Sequence, residues 1–118
     1  MDNITKSPIE KFPVYFNFSM DLLAGESISS HTLSCVNSST GTSSKTTIVD
    51  SSEIVAKEVK AVLKAGTEDD EHSIQCSVYT NLGNVFQRDL LLYIQSVVTD
   101  MFNKQSIESF MYEVDFTR

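Results

Sequence analysis

The chain has 118 residues, of which 41% are apolar and 21% charged, with four Gly, two Pro and no Trp. That is enough for a single core and within the globular range, so wholesale disorder is excluded. Nine basic against sixteen acidic residues leave a net charge of -7. This disfavours nucleic acid as a general partner.

The opening, residues 1–11, is polar with Pro8 and reads as an extended arm. It carries no apolar stretch after its first charges, which argues against a secretory signal, and no run in the chain approaches the roughly 18 apolar residues of a membrane span. From residue 12 the apolar period is two. Val14, Phe16 and Phe18 alternate with Tyr15, Asn17 and Ser19 after Pro13. Residues 28–36 are small, β-branched or hydroxyl-bearing, with Leu33 and Cys35 on one face. Asn37 to Thr47 is a biased stretch in which eight of eleven residues are Ser or Thr. It cannot fill a core, so it predicts a long loop or a short edge strand.

Val59, Ala61 and Leu63 alternate with lysines 60 and 64, predicting a half-buried strand that ends at Gly66. Residues 57–64 also fit a helical period with Gly66 as a stop, and the strand is the preferred reading. Ile74, Cys76 and Val78 form the inward parity of the next strand, and Phe86, Leu90, Leu92 and Ile94 that of the last. Between them Asn81-Leu82-Gly83-Asn84 suits a tight hairpin. Short strands with turn signals between them indicate an all-β sandwich over residues 12–96. The period then changes. Val97, Val98, Met101 and Phe102, and then Ile107, Phe110, Met111 and Val114, recur at helical spacing, so residues 97–118 predict a helical docking extension. Ile107, Phe110, Met111 and Val114 are the candidate partner-binding residues, suited to an apolar groove on another chain.

The candidate chemistry is sparse. His31 and His72 sit in no nucleophile motif, and both read as surface or edge-strand imidazoles. Glu68-Asp69-Asp70-Glu71 lacks the alternate ligand spacing and central Gly of a calcium loop, so it reads as a solvated hairpin loop. Cys35 and Cys76 lack CxxC spacing. Their separation invites comparison with the bridge between the sheets of immunoglobulin domains, but the buried Trp is missing. They are expected to be buried, reduced thiols, near each other across the core. The Asn-x-Ser/Thr triplets at Asn3, Asn17 and Asn37 are the chance product of a Ser/Thr-rich chain. No catalytic residue, metal site or cofactor is assigned.

Two segments together carry a resemblance. From Ile4 to Cys35, a Lys6-x-Pro8 lead precedes a strand ending in Phe16, Phe18 and Ser19. Leu23-Ala24-Gly25-Glu26 then leads into a strand with Ile28, Ser30 and Thr32. From Val59 to Ile94 come an alternating strand, a Gly-containing acidic loop, a Ser/Thr-bearing strand, a Gly turn and a last strand. In order and length, positions 4–94 resemble small tailed-phage virion proteins, the fibre–tail adaptors. The chain departs from that family with Glu68-Asp69-Asp70 in place of a Gly-rich loop and with Phe18 in place of a Trp. The resemblance implies an immunoglobulin-like β-sandwich and a non-enzymatic virion protein of the tail or neck, made in the host cytoplasm. Its partners would be other virion proteins, with many copies in a symmetric assembly and neither nucleic acid nor membrane. Within this frame Gly25 supplies a turn conformation, Gly83 serves the hairpin, and Phe18, Leu22 and Leu23 plug one end of the sandwich. A head–tail connector or capsid decoration protein is the alternative of the same class. A carbohydrate- or receptor-binding sandwich is the distant one, since the alternation exposes mainly Tyr15 and Tyr79.

Overall fold

A computed structural model describes residues 2–95. Within them lie seven strands and one short helix. In chain order these are β1 (Asp2–Lys6), β2 (Phe12–Asn17), β3 (Ile28–Asn37), α1 (Lys45–Ile48), β4 (Val49–Val55), β5 (Glu58–Leu63), β6 (Glu71–Thr80) and β7 (Val85–Ile94). One sheet has the order β1-β7-β6-β3 and the other β2-β5-β4. All named pairings are antiparallel except β1 with β7, which run parallel from Asp2↔Leu90 to Lys6↔Ile94.

The period of two places the core. Val14 and Phe16 of β2, Val59, Ala61 and Leu63 of β5, Ile74, Cys76 and Val78 of β6 and Leu90, Leu92 and Ile94 of β7 are all buried in one cluster shared by the two sheets. Each fully buried aliphatic or aromatic side chain stabilises the fold by roughly 1.5–3 kcal/mol. Pro13 is tolerated because β2 is an edge strand, where a missing N–H need not break a ladder. In β3 the register shifts between Ile28 and Ser30, and this bulge brings Ile28 and Leu33 inward although they stand five positions apart, on opposite faces of a regular strand.

Several expectations are corrected. The helical reading around residues 57–64 gives way to β4 and β5, joined by Ala56-Lys57. The opening segment is extended, but residues 2–6 are laid into a sheet, with Ile4 and Lys6 both buried. The Ser/Thr run forms a turn, an isolated bridge from Ser43 to Val36, and the start of α1, whose Ile48 is fully buried. Leu23 does not plug the body: Leu22 is buried and Leu23 is 63% exposed, since adjacent residues of one tight turn cannot both face inward. Tyr79 is exposed as expected, whereas Tyr15 is half-buried. The predicted helical extension, with Ile107, Phe110, Met111 and Val114, lies outside the described residues.

Two ends follow from this topology. One carries the β2–β3 loop, the Ala56-Lys57 turn and the β6–β7 hairpin. The other carries the segments 7–11, 38–48 and 64–70. At the second end Gly66 has φ 103, and a Cβ there would stand 2.8 Å from Ile94 Cδ1. Only glycine lets this turn lie directly on the core.

Candidate functional site

At the second end, the interior contains a polar cluster that sequence reasoning missed. His72 is 3% exposed, not a surface imidazole, and its Nδ1 lies 2.8 Å from Ser44 Oγ. Ser44 Oγ in turn lies 3.2 Å from Cys35 Sγ. The signal for His72 was present, because it shares the inward parity of Ile74, Cys76 and Val78. No comparable signal marked Ser44, which sits inside the Ser/Thr run.

Serine, histidine and cysteine in contact suggest nucleophilic chemistry, and their surroundings argue against it. All three are buried, so no substrate carbonyl can approach. His72 Nε2 has no hydrogen-bond partner among the described residues, so no carboxylate orients the ring. Burial, reinforced by the Lys6 charge and opposed by Asp70, holds the imidazole below its ordinary range. Burial also raises the Cys35 thiol against the Ser44 hydrogen bond, and pushes Cys76 up to about 12. Neither thiol is a thiolate near neutral pH. Both are free and buried. They lie on β3 and β6, adjacent strands of one sheet, not across the core. With Cys35 opposite Ile74 and Cys76 opposite Leu33, they are diagonal neighbours, typically 7–8 Å apart at Cα and just beyond disulfide reach.

Lys6 is the other interior surprise. Its Nζ donates to Ser7 O at 2.7 Å and to Ala65 O, clipping β1 to the loop after β5. Burial lowers its pKa to about 8, partly offset by the charge of Glu10.

The first end is built differently. Glu26, 2% exposed, sends its carboxylate between two loops. Thr80 Oγ1 donates to Oε2 at 2.6 Å, Asn84 Nδ2 to the same oxygen at 2.8 Å, and the Leu23 N–H to Oε1 at 3.0 Å. The Thr80, Leu23 and Asn84 hydrogen bonds, in that order, keep this carboxyl below its ordinary range against the effect of burial. Asn81 adds a second bolt: its N–H donates to Ser27 O, and its Oδ1 accepts the Ser27 N–H at 2.9 Å. Phe18 N–H donates to Lys57 O, tying in the third turn. Arg88 pairs with Asp21 and stacks 5.2 Å over the Phe18 ring. Gly25 and Gly83 take φ 82 and 83, the turn roles expected of them.

Concave sites are slight. A cleft of about 140 Å³ lies between β2 and the β1–β7 edge, lined by Asp2, Val14, Phe16, Arg88 and Leu90 among others. Small-molecule sites usually run to about 300–1,000 Å³. Among the described residues no group of His, Cys, Asp and Glu could hold a metal ion. Of the acidic run, Glu68 and Asp69 are exposed in the loop after β5, whereas Asp70 is half-buried and accepts from Asn37 Nδ2 at 3.1 Å, and Glu71 opens β6. No described helix is long and apolar enough to cross a membrane.

No curated protein matches the chain. The family model described as podophage GP4 fiber-tail adaptor protein gp77 matches residues 6–93. The chain belongs to that family of phage structural adaptors, and a fiber-tail adaptor implies contacts with phage tail and fiber proteins.

Proposed function

We propose that the chain is a non-enzymatic virion protein that joins the phage tail to its fibres, in several symmetric copies per particle. The family match over residues 6–93 carries this reading. The burial of the Cys35–Ser44–His72 contacts is consistent with a structural role for that cluster. The strand order supports an immunoglobulin-like sandwich. Lettering β2 to β7 as B to G gives one sheet of B, E and D and another of C, F and G, with the first strand moved across to join G. Such a body is a rigid spacer with loops at both ends. Residues 97–118 supply one partner contact, with Ile107, Phe110, Met111 and Val114 facing an apolar groove of a neighbouring protein.

The test is genetic and structural. A phage deleted for this gene should assemble heads and tails without fibres, and supplying the protein should restore fibres and plaques. Fully fibred particles without the protein would refute the adaptor role, and immunogold labelling on the capsid would favour decoration instead. Removing residues 103–118 should leave melting unchanged and abolish incorporation. A truncated protein that incorporates normally would remove the C-terminal contact from the proposal.

A further inference from the structure

The end that carries the β2–β3 loop and the β6–β7 hairpin presents apolar side chains where turns usually present polar ones. Met20 is 95% exposed, Leu23 63%, and Leu82 and Val85 57% each. Tyr79 stands opposite Val85 on the outer face of the hairpin. Leu23 and Leu82 are held side by side: Leu23 N–H and Thr80 Oγ1 share the Glu26 carboxylate, and Leu82 N–H donates to the same Thr80 hydroxyl. Their exposed apolar area is of the order of 400–500 Å², the scale of the largest apolar patch on a typical monomer.

From this geometry we infer that the loop end is a docking plug that enters an apolar, uncharged recess in a larger tail or fibre protein. The inference rests on the adaptor reading above. Three observations choose this occupant. First, the surface is convex, since a methionine exposed to 95% stands clear of its surroundings, and a convex tip is matched by a concavity. Second, the charges at the tip offset one another on a chain of net charge -7: the buried, ionised Glu26 feels the charge of Lys57, and Asp21 is paired with Arg88. A recess that desolvates this tip needs no charge of its own. Third, the area is about half of the ~800 Å² that each partner of a standard interface contributes, and two convex tips would touch over less. A second copy is thus a poor occupant, whereas a recess can enclose the tip from all sides.

The experiment complements a gene-deleted phage with full-length variants and measures copies incorporated per particle. Leu23→Asp combined with Leu82→Asp should melt like the parent yet incorporate at least tenfold less. Ile9→Asp, at an equally exposed apolar residue of the opposite end, should incorporate normally. The single change Leu82→Ser at the hairpin tip serves if the double variant melts early, and should also reduce incorporation. In the free full-length chain, Leu82→Cys should react at once with a bulky maleimide while Cys35 and Cys76 stay protected. Normal incorporation of both tip variants would overturn the plug, as would an equal loss in Ile9→Asp. Protection of the Leu82→Cys thiol, relieved by dilution or by removing residues 96–118, would assign the tip to a second copy or to the chain's own end and overturn it too. If the parent protein itself is missing from particles, the adaptor reading fails first.

Discussion

Lys6→Met tests the interior most sharply. Methionine keeps most of the stem that fills the space beneath β1 and removes the ammonium that donates to Ser7 O and Ala65 O. In the folded protein the amine titrates at about 8, against 10.5 ordinarily. Between those values the unfolded chain holds more protons than the folded one, so stability rises with pH across that window. Taken at face value, the difference between the two titrations integrates to about 3 kcal/mol. The two carbonyls that accept from the ammonium favour its charged form and bring this down to about 1–2 kcal/mol. Urea unfolding of parent and variant at pH 7 and pH 10 isolates Lys6, because every other titratable group is common to the two proteins. The parent should gain that amount relative to Lys6→Met between the two pH values. A difference between the proteins that does not change with pH would refute the buried ammonium. A change of opposite sign would mean that the carbonyls favour the charge more than burial disfavours it.

Three further outcomes are expected. Gly66→Ala forces a Cβ into the positive-φ turn and against Ile94 and Ile48, and should cost about 2–4 kcal/mol in denaturant unfolding. Ala56→Gly should do the reverse: Ala56 has φ 55 in a two-residue turn, so relieving its strain should add a few tenths to about 1 kcal/mol despite the flexibility of glycine. Because burial lowers the His72 pKa, the unfolded chain takes up its proton first as pH falls through 6.5, and stability should drop from pH 7 to pH 5. In His72→Gln that drop should be smaller, measured by thermal melts at both pH values.

The strands that read clearly from sequence are those whose inward positions are all apolar. β5, β6 and β7 bury Val59, Ala61, Leu63, Ile74, Cys76, Val78, Leu90, Leu92 and Ile94 in strict alternation. β1 was hidden because its two inward residues are Ile4 and Lys6, and a lysine at an apolar position breaks the pattern that marks a strand. β4 was hidden because it is an edge strand with a register shift between Val49 and Ser51, and its inward Ser52 and Ile54 are only half-buried. The polar cluster was illegible for a different reason. Cys35, Ser44 and His72 come from three separate segments, and only the tertiary fold closes their distances. Glu26 was visible as a residue of the family-like Leu-Ala-x-Gly-Glu turn, but its role as the bolt between two loops needed Thr80 and Asn84, which are distant in sequence.

The two ends of the body divide the labour between holding the fold and meeting a partner. At the end with Lys6, His72 and Gly66, polar groups point inward, Lys6 onto backbone carbonyls and His72 onto the Ser44 hydroxyl, so disturbing them disturbs the core. At the other end the polar groups, Glu26 and Asn81, spend their hydrogen bonds on loop backbone and loop side chains, which frees Leu23, Leu82 and Met20 to face outward. Association must offset the ordering of whatever it immobilises, and mobile loops raise that cost. Here the ordering is completed during folding, by a carboxylate whose hydrogen bonds keep it ionised at neutral pH. A tip held in this way loses little entropy on docking, and its apolar side chains can then contribute most of their burial to the contact.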